Sequence, residues 1–132
     1  YFDVWYNILK EDLDDALSQT GLPLAGPEMW QLWTQKYRSG HYHGAHNHGC
    51  SNLSCILYVE FDPQVHESTA FYQPFPDPWF GTLHKIQPQI EEGDILMFPA
   101  VLLHESPVSR SDKTRTVMSF NIPVGNSYEK SN

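Results

Sequence analysis

A chain of 132 residues is long enough for one domain with a hydrophobic core and too short for two, so residues 1–132 are interpreted as a single domain. Hydrophobic residues make up 40% and aromatic residues 14% of the sequence, which excludes an intrinsically disordered chain. The net charge of −8, with only eight scattered Lys and Arg residues, predicts no nucleic-acid partner.

The sequence shows no sign of a membrane span or an export signal. No apolar run approaches the roughly 18 to 20 residues that cross a bilayer, and residues 1–6 lack the basic region of a secretory signal. Cys50 and Cys55 are therefore expected to be buried free thiols in a reducing compartment rather than a disulfide. We expect a cytoplasmic protein without a membrane partner and, since residue 1 is Tyr rather than Met, a segment trimmed from a longer chain.

One amphipathic helix is predicted over residues 7–19, with Asn7 as its N-terminal cap and Gly21 as its stop. Helical spacing places four apolar residues on one face, namely Leu9, Leu13, Ala16 and Leu17. The acidic residues between them are interpreted as a solvated face rather than as catalytic groups: Glu11, Asp12, Asp14 and Asp15.

From about residue 28 the pattern changes to short extended segments separated by Pro and Gly. The predicted strands are 29–38, 53–61, 69–73, 83–87, 95–99, 101–105 and 114–122. Seven or eight short strands after one helix predict a mainly β fold, a β-sandwich or jelly roll, with the helix packed on one sheet.

Four of the seven histidines fall in one eight-residue stretch. They form two pairs, His41/His43 and His46/His48, and residues two apart on an extended strand point to the same side. We favour His46 and His48 because they lie just before the strongest predicted strand, although the residues leave the other pair open. A third imidazole from a distant strand, that of His104, would complete one face of a metal ion and leave the other positions open for oxygen or substrate.

Arg115 alternates into an otherwise apolar strand downstream of His104. An arginine there is costly unless it meets an anion, and its planar fork suits a carboxylate. The alternative is a side chain that reaches solvent at the strand end. His66 and His84, isolated among polar residues, are interpreted as surface groups.

Several motifs follow one another along the chain in an order that is typical of one enzyme family. It comprises Tyr-Arg-Ser-Gly at 37–40, His-Asn-His at 46–48, Leu-Ser-Cys-Ile-Leu-Tyr-Val at 53–59, Gly-Asp-Ile-Leu-Met-Phe-Pro at 93–99, His104, and Thr-Arg-Thr-Val-Met-Ser-Phe-Asn at 114–121. This arrangement resembles the 2-oxoglutarate- and Fe(II)-dependent oxygenases, most closely the prolyl-hydroxylase-like branch with its small bacterial and phage members. The resemblance covers about residues 29–122.

The resemblance implies a double-stranded β-helix, the cupin-like form of the jelly roll. It implies that Fe(II), 2-oxoglutarate and O2 take part, that His46 and His104 bind iron, and that Arg115 anchors the distal carboxylate of 2-oxoglutarate. It also places His104 and Arg115 on facing sheets, rather than as neighbours in one hairpin. The implied reaction is hydroxylation of an unactivated C–H bond in a peptidyl proline or a small molecule, with release of succinate and CO2.

Three further residues take cosubstrate roles by the same resemblance. Tyr58, which shares a strand face with Ser54, corresponds to a tyrosine that hydrogen-bonds the distal carboxylate of 2-oxoglutarate. Tyr37 corresponds to a tyrosine that lies over the cosubstrate. Ser54, Tyr58 and Tyr37 are thus expected to lie beside Arg115 in the cosubstrate site.

His48 departs from the family pattern, since most members carry Asp or Glu at that position. A neutral imidazole leaves the site one unit more positive, which should change iron affinity and redox potential. We interpret His48 as the third ligand, the alternative being two histidines plus water. A carboxylate from elsewhere would be a further substitute, the candidates being Glu60, Asp62 and Glu105.

Two other functions stay open. The first is a cupin-like oxygenase that uses three histidines and no 2-oxoglutarate, which His48 favours and which Arg115 and Tyr58 argue against. The second is an inactive metal-binding module. The Pro-rich loop 73–81 is interpreted as a lid over a peptide or small-molecule substrate. Aromatic residues proposed for the substrate mouth are Trp33, Phe71, Tyr72, Trp79 and Phe80.

Overall fold

The computed structural model describes residues 2–50 and 52–125. These residues form one α-helix, α1 (Phe2–Ser18), a 3-10 turn (Pro27–Met29) and eight β-strands. The strands are β1 (Gln31–Tyr37), β2 (His43–His46), β3 (Asn52–Glu60), β4 (Ala70–Tyr72), β5 (Lys85–Ile86), β6 (Ile95–Pro99), β7 (His104–Ser106) and β8 (Arg115–Pro123).

The strands form two four-stranded antiparallel sheets that face each other. The first has the order β1-β8-β3-β6 and the second the order β2-β7-β4-β5. The predicted mainly β fold, a double-stranded β-helix with the helix packed on one sheet, is confirmed. His104 and Arg115 lie on different sheets, as the resemblance implied.

The central strand β8 is buried on both faces because the helix covers one side and the space between the sheets lies on the other. Met118, Phe120 and Ile122 pack in the cluster under the helix. The alternate residues point between the sheets and line a cavity there: Arg115, Val117, Ser119 and Asn121. The period-two alternation of a strand thus separates a hydrophobic layer from a functional one.

The helix begins earlier than predicted, at Phe2, so Asn7 lies inside it and is not its cap. The aromatic residues at its start continue the apolar face, since the Trp5 ring packs edge-on against Phe120 with 4.8 Å between ring centroids. Leu13 and Leu17 are buried as expected. The acidic residues are exposed as expected: Glu11, Asp12, Asp14 and Asp15.

The strand predictions differ from the structure mainly on the second sheet. Residues 101–103 turn instead of extending, because the Leu102 N–H donates to the Pro99 carbonyl (3.0 Å) as the chain crosses between the sheets. Strand β2 is absent from the predicted strands because its His-Gly-Ala-His sequence lacks β-branched residues. It becomes a strand by pairing with β7.

Both cysteines are free, as predicted, but only Cys55 is buried, and Cys50 is exposed. Among the described residues, neither helical segment has the length and apolar character that crossing a membrane requires.

Candidate metal centre

Three histidines converge at one end of the cavity between the sheets. The imidazole nitrogens of His46, His48 and His104 that are available for ligation lie within 4.8 Å of one another. Their ring centroids are 4.4 Å apart for His46 and His104, 5.0 Å for His46 and His48, and 5.3 Å for His48 and His104. Nitrogen donors this close can share one metal ion.

Strand pairing accounts for two of the three positions. His46 and His104 are directly opposite each other in the antiparallel pairing of β2 with β7, so their side chains project on the same face of the sheet. His48 lies beyond the end of β2 rather than on it, and its backbone N–H donates to the Ala100 carbonyl (2.9 Å). The predicted convergence of His46 and His48 therefore arises from a loop tied to the turn after β6, and not from strand alternation.

Backbone carbonyls hold two of the rings. Nδ1 of His104 lies 2.8 Å from the Leu102 carbonyl, and Nδ1 of His46 lies 2.7 Å from the Gly44 carbonyl. A carbonyl oxygen only accepts, so each Nδ1 carries the proton and each Nε2 keeps its lone pair. This is the arrangement by which proteins orient metal-binding imidazoles.

Burial favours the neutral form of His48 and His104. Burial, with a smaller contribution from the neighbouring histidines and against the opposing effect of the Leu102 carbonyl, lowers the pKa of His104 to about 4. Burial, followed by the proximity of His46, also lowers the pKa of His48. Neutral imidazoles are the form that binds metals, so protons compete weakly for these nitrogens near neutral pH.

No carboxylate joins the three histidines within residues 2–50 and 52–125. The candidates for a substitute ligand are engaged elsewhere: Glu60 with the Thr116 hydroxyl, Asp62 with Lys113 (2.6 Å), and Glu105 with Lys85 (2.5 Å) and the Tyr72 hydroxyl (2.6 Å). Among the described residues, the group that could hold a metal ion therefore consists of three imidazoles without a carboxylate.

The other histidines have different surroundings. His43 stacks on His46 with 4.0 Å between ring centroids, and its Nδ1 lies 3.1 Å from Gln35 Nε2, so it supports the cluster from outside. His41 and His84 are exposed. His66 is not the surface group that was predicted: it is buried, its Nδ1 accepts from the Asp62 N–H (3.0 Å), and its Nε2 donates to the Lys113 carbonyl (3.0 Å).

Arg115 lies in the same cavity on the first sheet and is only 3% exposed, which excludes the solvent-reaching alternative. Its guanidinium donates to the Glu67 carbonyl (2.5 Å) and to the Ser106 hydroxyl, and it lies over the Tyr37 ring at 4.3 Å from the ring centroid. Its Nε has no hydrogen-bond partner among the described residues. A buried guanidinium with an unpaired donor has the chemistry to bind an anion.

Tyr58, Ser54 and Tyr37 line this cavity together with Arg115, as expected. The Tyr58 hydroxyl accepts from the Thr69 N–H (3.1 Å) and lies 2.9 Å from the Thr69 hydroxyl. Burial raises the pKa of Tyr58, so its hydroxyl remains a proton donor. The Ser54 hydroxyl donates to the Asn121 side-chain oxygen (2.7 Å).

The free space between the sheets is small, about 30 Å³, roughly the volume of one water molecule. Side chains that line it must move before a molecule larger than water can enter. Sequence reasoning missed several lining residues, because small polar residues on strands carry no distinctive signal: Gln35, Thr69, Ser106, Ser119 and Asn121.

The proposed aromatic mouth is only partly present. Trp33 lines the cavity beside His48, with 5.6 Å between ring centroids, and Phe71 lies 5.9 Å from His104. Phe98, which was not predicted, lies closer to His104 at 4.8 Å. Trp79 and Phe80 do not line the cavity and are 86% and 82% exposed.

Comparison with known proteins adds an independent line of information. Residues 31–121 match a family model described as "Putative 2OG-Fe(II) oxygenase". No curated protein sequence matches the chain.

Among solved structures, a prolyl-4-hydroxylase from Pseudomonas putida is 16% identical with a TM-score of 0.59, over 86% of this chain and 62% of that one. A prolyl 4-hydroxylase from Phytophthora capsici is 16% identical with a TM-score of 0.61, over 87% of this chain and 40% of that one. HygX from Streptomyces hygroscopicus, solved with nickel and 2-oxoglutarate bound, is 16% identical with a TM-score of 0.56, over 88% and 66%. The chain thus spans less than two thirds of each of these proteins and shares their fold.

Proposed function

Since the chain belongs to the 2OG-Fe(II) oxygenase family, we propose that this iron- and 2-oxoglutarate-dependent dioxygenase hydroxylates an unactivated C–H bond of a peptide or a small molecule. The observation that carries the proposal is the pairing, in one cavity, of three imidazoles with a buried guanidinium that forms no ion pair among the described residues. The imidazoles suit a divalent metal ion, and the guanidinium suits a carboxylate of a dicarboxylate cosubstrate.

In this proposal His46, His48 and His104 hold Fe(II). The donor set fits the metal, since burial favours the neutral form of His48 and His104, and backbone carbonyls orient the rings of His46 and His104. Iron held there would, together with 2-oxoglutarate and oxygen, supply the oxidising chemistry that yields succinate and CO2. With three neutral ligands the centre is one charge unit more positive than a centre with two histidines and a carboxylate.

Arg115 binds the distal carboxylate of 2-oxoglutarate with its fork of N–H donors. Tyr37 supports the guanidinium from below, and Ser106 and the Glu67 carbonyl orient it. The Tyr58 hydroxyl accepts from the Thr69 N–H and shares a hydrogen bond with the Thr69 hydroxyl. When the Thr69 hydroxyl is the donor in that bond, the Tyr58 proton is free for the same carboxylate. HygX, which shares the fold, was solved with 2-oxoglutarate bound, and this supports the assignment.

Apolar walls keep water away from the reacting centre. Ile56, Phe98 and Val117 line the cavity between the metal ligands and Arg115. Excluding water strengthens the charge interactions within the site and limits side reactions of the oxidant.

The Pro-rich loop 73–81 is proposed to contact the substrate. Its aromatic side chains are exposed, and the Asp77 carboxylate accepts from the N–H groups of Trp79 (2.9 Å) and Phe80 (2.8 Å), which holds the loop tip in a turn. The prolyl 4-hydroxylases that share the fold make a peptide one candidate substrate. Deletion of the loop tip should raise KM at least several-fold; unchanged turnover would remove the loop from the proposal.

The first test is an anaerobic titration of the Fe(II)-loaded protein with 2-oxoglutarate, followed by the visible charge-transfer band of the chelated keto acid. We expect a saturable band. Arg115→Ala should weaken the affinity for 2-oxoglutarate at least tenfold, as the loss of a charge-assisted hydrogen-bonded pair does. Arg38→Ala, which removes an exposed arginine outside the cavity, is the matched control and should behave as the parent. A bound iron without the band would refute the role of 2-oxoglutarate.

The second test concerns His48. His48→Ala should lower the affinity for Fe(II) about 10- to 100-fold, the range seen when a metal site loses part of its support. His41→Ala is the matched control, since His41 is exposed and outside the cluster. His48→Asp should restore tight binding, because Asp is an ordinary iron ligand. Equal affinities in the parent and His48→Ala would show that His48 is not a ligand.

The three-imidazole donor set favours one alternative, a cupin-like oxygenase that consumes oxygen without 2-oxoglutarate. It differs from the main proposal in its requirement for cosubstrate. Substrate-dependent oxygen uptake by the iron-loaded protein in the absence of 2-oxoglutarate would establish this alternative.

A further inference from the structure

A second cavity lies behind Arg115, on the side away from the three histidines. Its volume is about 80 Å³. Its lining comprises Val65, His66, Glu67, Pro107, Val108, Ser109, Arg110 and Arg115. Arg115 alone is shared with the first cavity, so its guanidinium forms the wall between the two.

Hydrogen bonds hold the walls of this second cavity in place. The Ser109 N–H donates to the His41 carbonyl (2.9 Å), and the Ser109 carbonyl accepts from the Gly40 N–H (2.8 Å). On the opposite wall, both ring nitrogens of His66 are satisfied by the backbone of Asp62 and Lys113. The cavity is therefore built by fixed elements, and its positive charge comes from Arg110 and Arg115 rather than from His66.

Arg115 forms no ion pair among the described residues. The ion pairs found there lie elsewhere: Lys10 with Asp14, Lys85 with Glu105, and Lys113 with Asp62. Glu67 lies on the wall of the second cavity, and its backbone carbonyl accepts from the guanidinium. Its exposed carboxylate accepts from Gln87 Nε2 (3.3 Å). Burial lowers the pKa of Arg115, and the negative charge of Glu67 partly opposes this shift.

A guanidinium stays charged, and burying it without an opposite charge costs free energy that a bound anion would recover. In the proposed function this anion is 2-oxoglutarate, which is present only while cosubstrate is bound. In its absence, Nε still has no partner, and the second cavity offers the space beside the guanidinium.

We propose that the second cavity binds a small monovalent anion of the size of chloride or formate, between Arg110 and Arg115, when 2-oxoglutarate is absent. A cavity of about 80 Å³ has room for such an ion together with water. Arg110, which is exposed, supplies the second positive charge and the opening to solvent.

A consequence follows for the cosubstrate, and it rests on the proposed role of Arg115. Both anions would interact with one guanidinium, so binding at the second cavity weakens 2-oxoglutarate binding, and the effect is reciprocal. We expect the affinity for 2-oxoglutarate to fall several-fold when chloride replaces a bulky organic anion at a constant ionic strength of about 0.15 M.

The site itself is tested on the metal-free protein without 2-oxoglutarate, with bromide as the probe. Anomalous scattering from bromide-soaked crystals should show an ion between Arg110 and Arg115, on the side of the guanidinium away from His104. Arg110→Ala should abolish this ion, whereas Arg38→Ala should retain it. Absence of the ion in the parent, or an ion only on the histidine side of Arg115, would overturn the proposal.

The link to the cosubstrate is tested separately on the Fe(II)-loaded protein. The dissociation constant of 2-oxoglutarate is measured with and without chloride at constant ionic strength, in the parent and in Arg110→Ala. Chloride should weaken binding in the parent and have little effect in the variant. A chloride-independent constant in a protein that binds bromide would overturn the link while leaving the anion site in place. Absence of 2-oxoglutarate binding would instead refute the proposed function.

Discussion

Lowering the pH from about 8 to about 5 should destabilise the metal-free protein, and His104 should account for a defined part of the loss. This side chain is 3% exposed, and burial lowers its pKa from 6.5 to about 4. Between these values the unfolded chain binds a proton at this residue and the folded chain does not. The stability that His104 confers is therefore fully present above about pH 6.5 and is lost as the pH falls towards 4.

The size of the effect follows from the distance between the working pH and the unfolded pKa. At pH 5 that distance is about 1.5 units from 6.5, and at about 1.4 kcal/mol per unit the free energy of unfolding falls by about 2 kcal/mol. With a urea dependence of about 2 kcal/mol per molar, the urea midpoint falls by about 1 M. His48, whose pKa burial also lowers, adds to the loss in the same direction.

The assay is urea denaturation of the metal-free protein at both pH values, with His104→Asn as the reference. Asparagine retains a donor for the Leu102 carbonyl but does not titrate. The parent should lose about 2 kcal/mol more than the variant between the two pH values. Equal losses in both proteins would refute the inference that His104 is neutral and buried in the folded state.

Three further predictions concern the core, the thiols and the buried arginine. Phe120→Ala should lower the free energy of unfolding by about 3 to 5 kcal/mol, because its fully buried ring packs against the helix; a loss below about 1 kcal/mol in urea denaturation would contradict that packing. Alkylation near pH 8 should label exposed Cys50 but not Cys55, whose pKa burial raises to about 12; two labels on the native protein by mass spectrometry would be the opposite result. Arg115→Met should change the stability of the metal-free protein by less than about 1 kcal/mol, since the cost of a buried charge offsets the hydrogen bonds it makes; a loss above about 3 kcal/mol would make Arg115 a structural residue.

Sequence reasoning was most successful where one physical pattern dominates. The β-branched and aromatic residues of β3, β6 and β8 predicted those strands within one residue at each end, because such side chains fit the buried surfaces of a sheet. The helix start was misjudged because capping by Asn7 was weighed above the aromatic residues before it. Those aromatics continue the helical period only when the sheet is there to receive them, as Trp5 shows against Phe120.

The metal cluster shows where the sequence stops being informative. The sequence by itself identified the family resemblance and the donor types, since histidine and arginine at such positions are costly without a ligand. Only the tertiary structure decided that His46 lies opposite His104, that His48 arrives through a loop tied to Ala100, and that no described carboxylate takes part. Local patterns specify which side chains can act, because their chemistry belongs to the residue. Which of them meet depends on pairing between strands nearly sixty residues apart, as with β2 and β7, and that pairing is set by the packing of the whole fold.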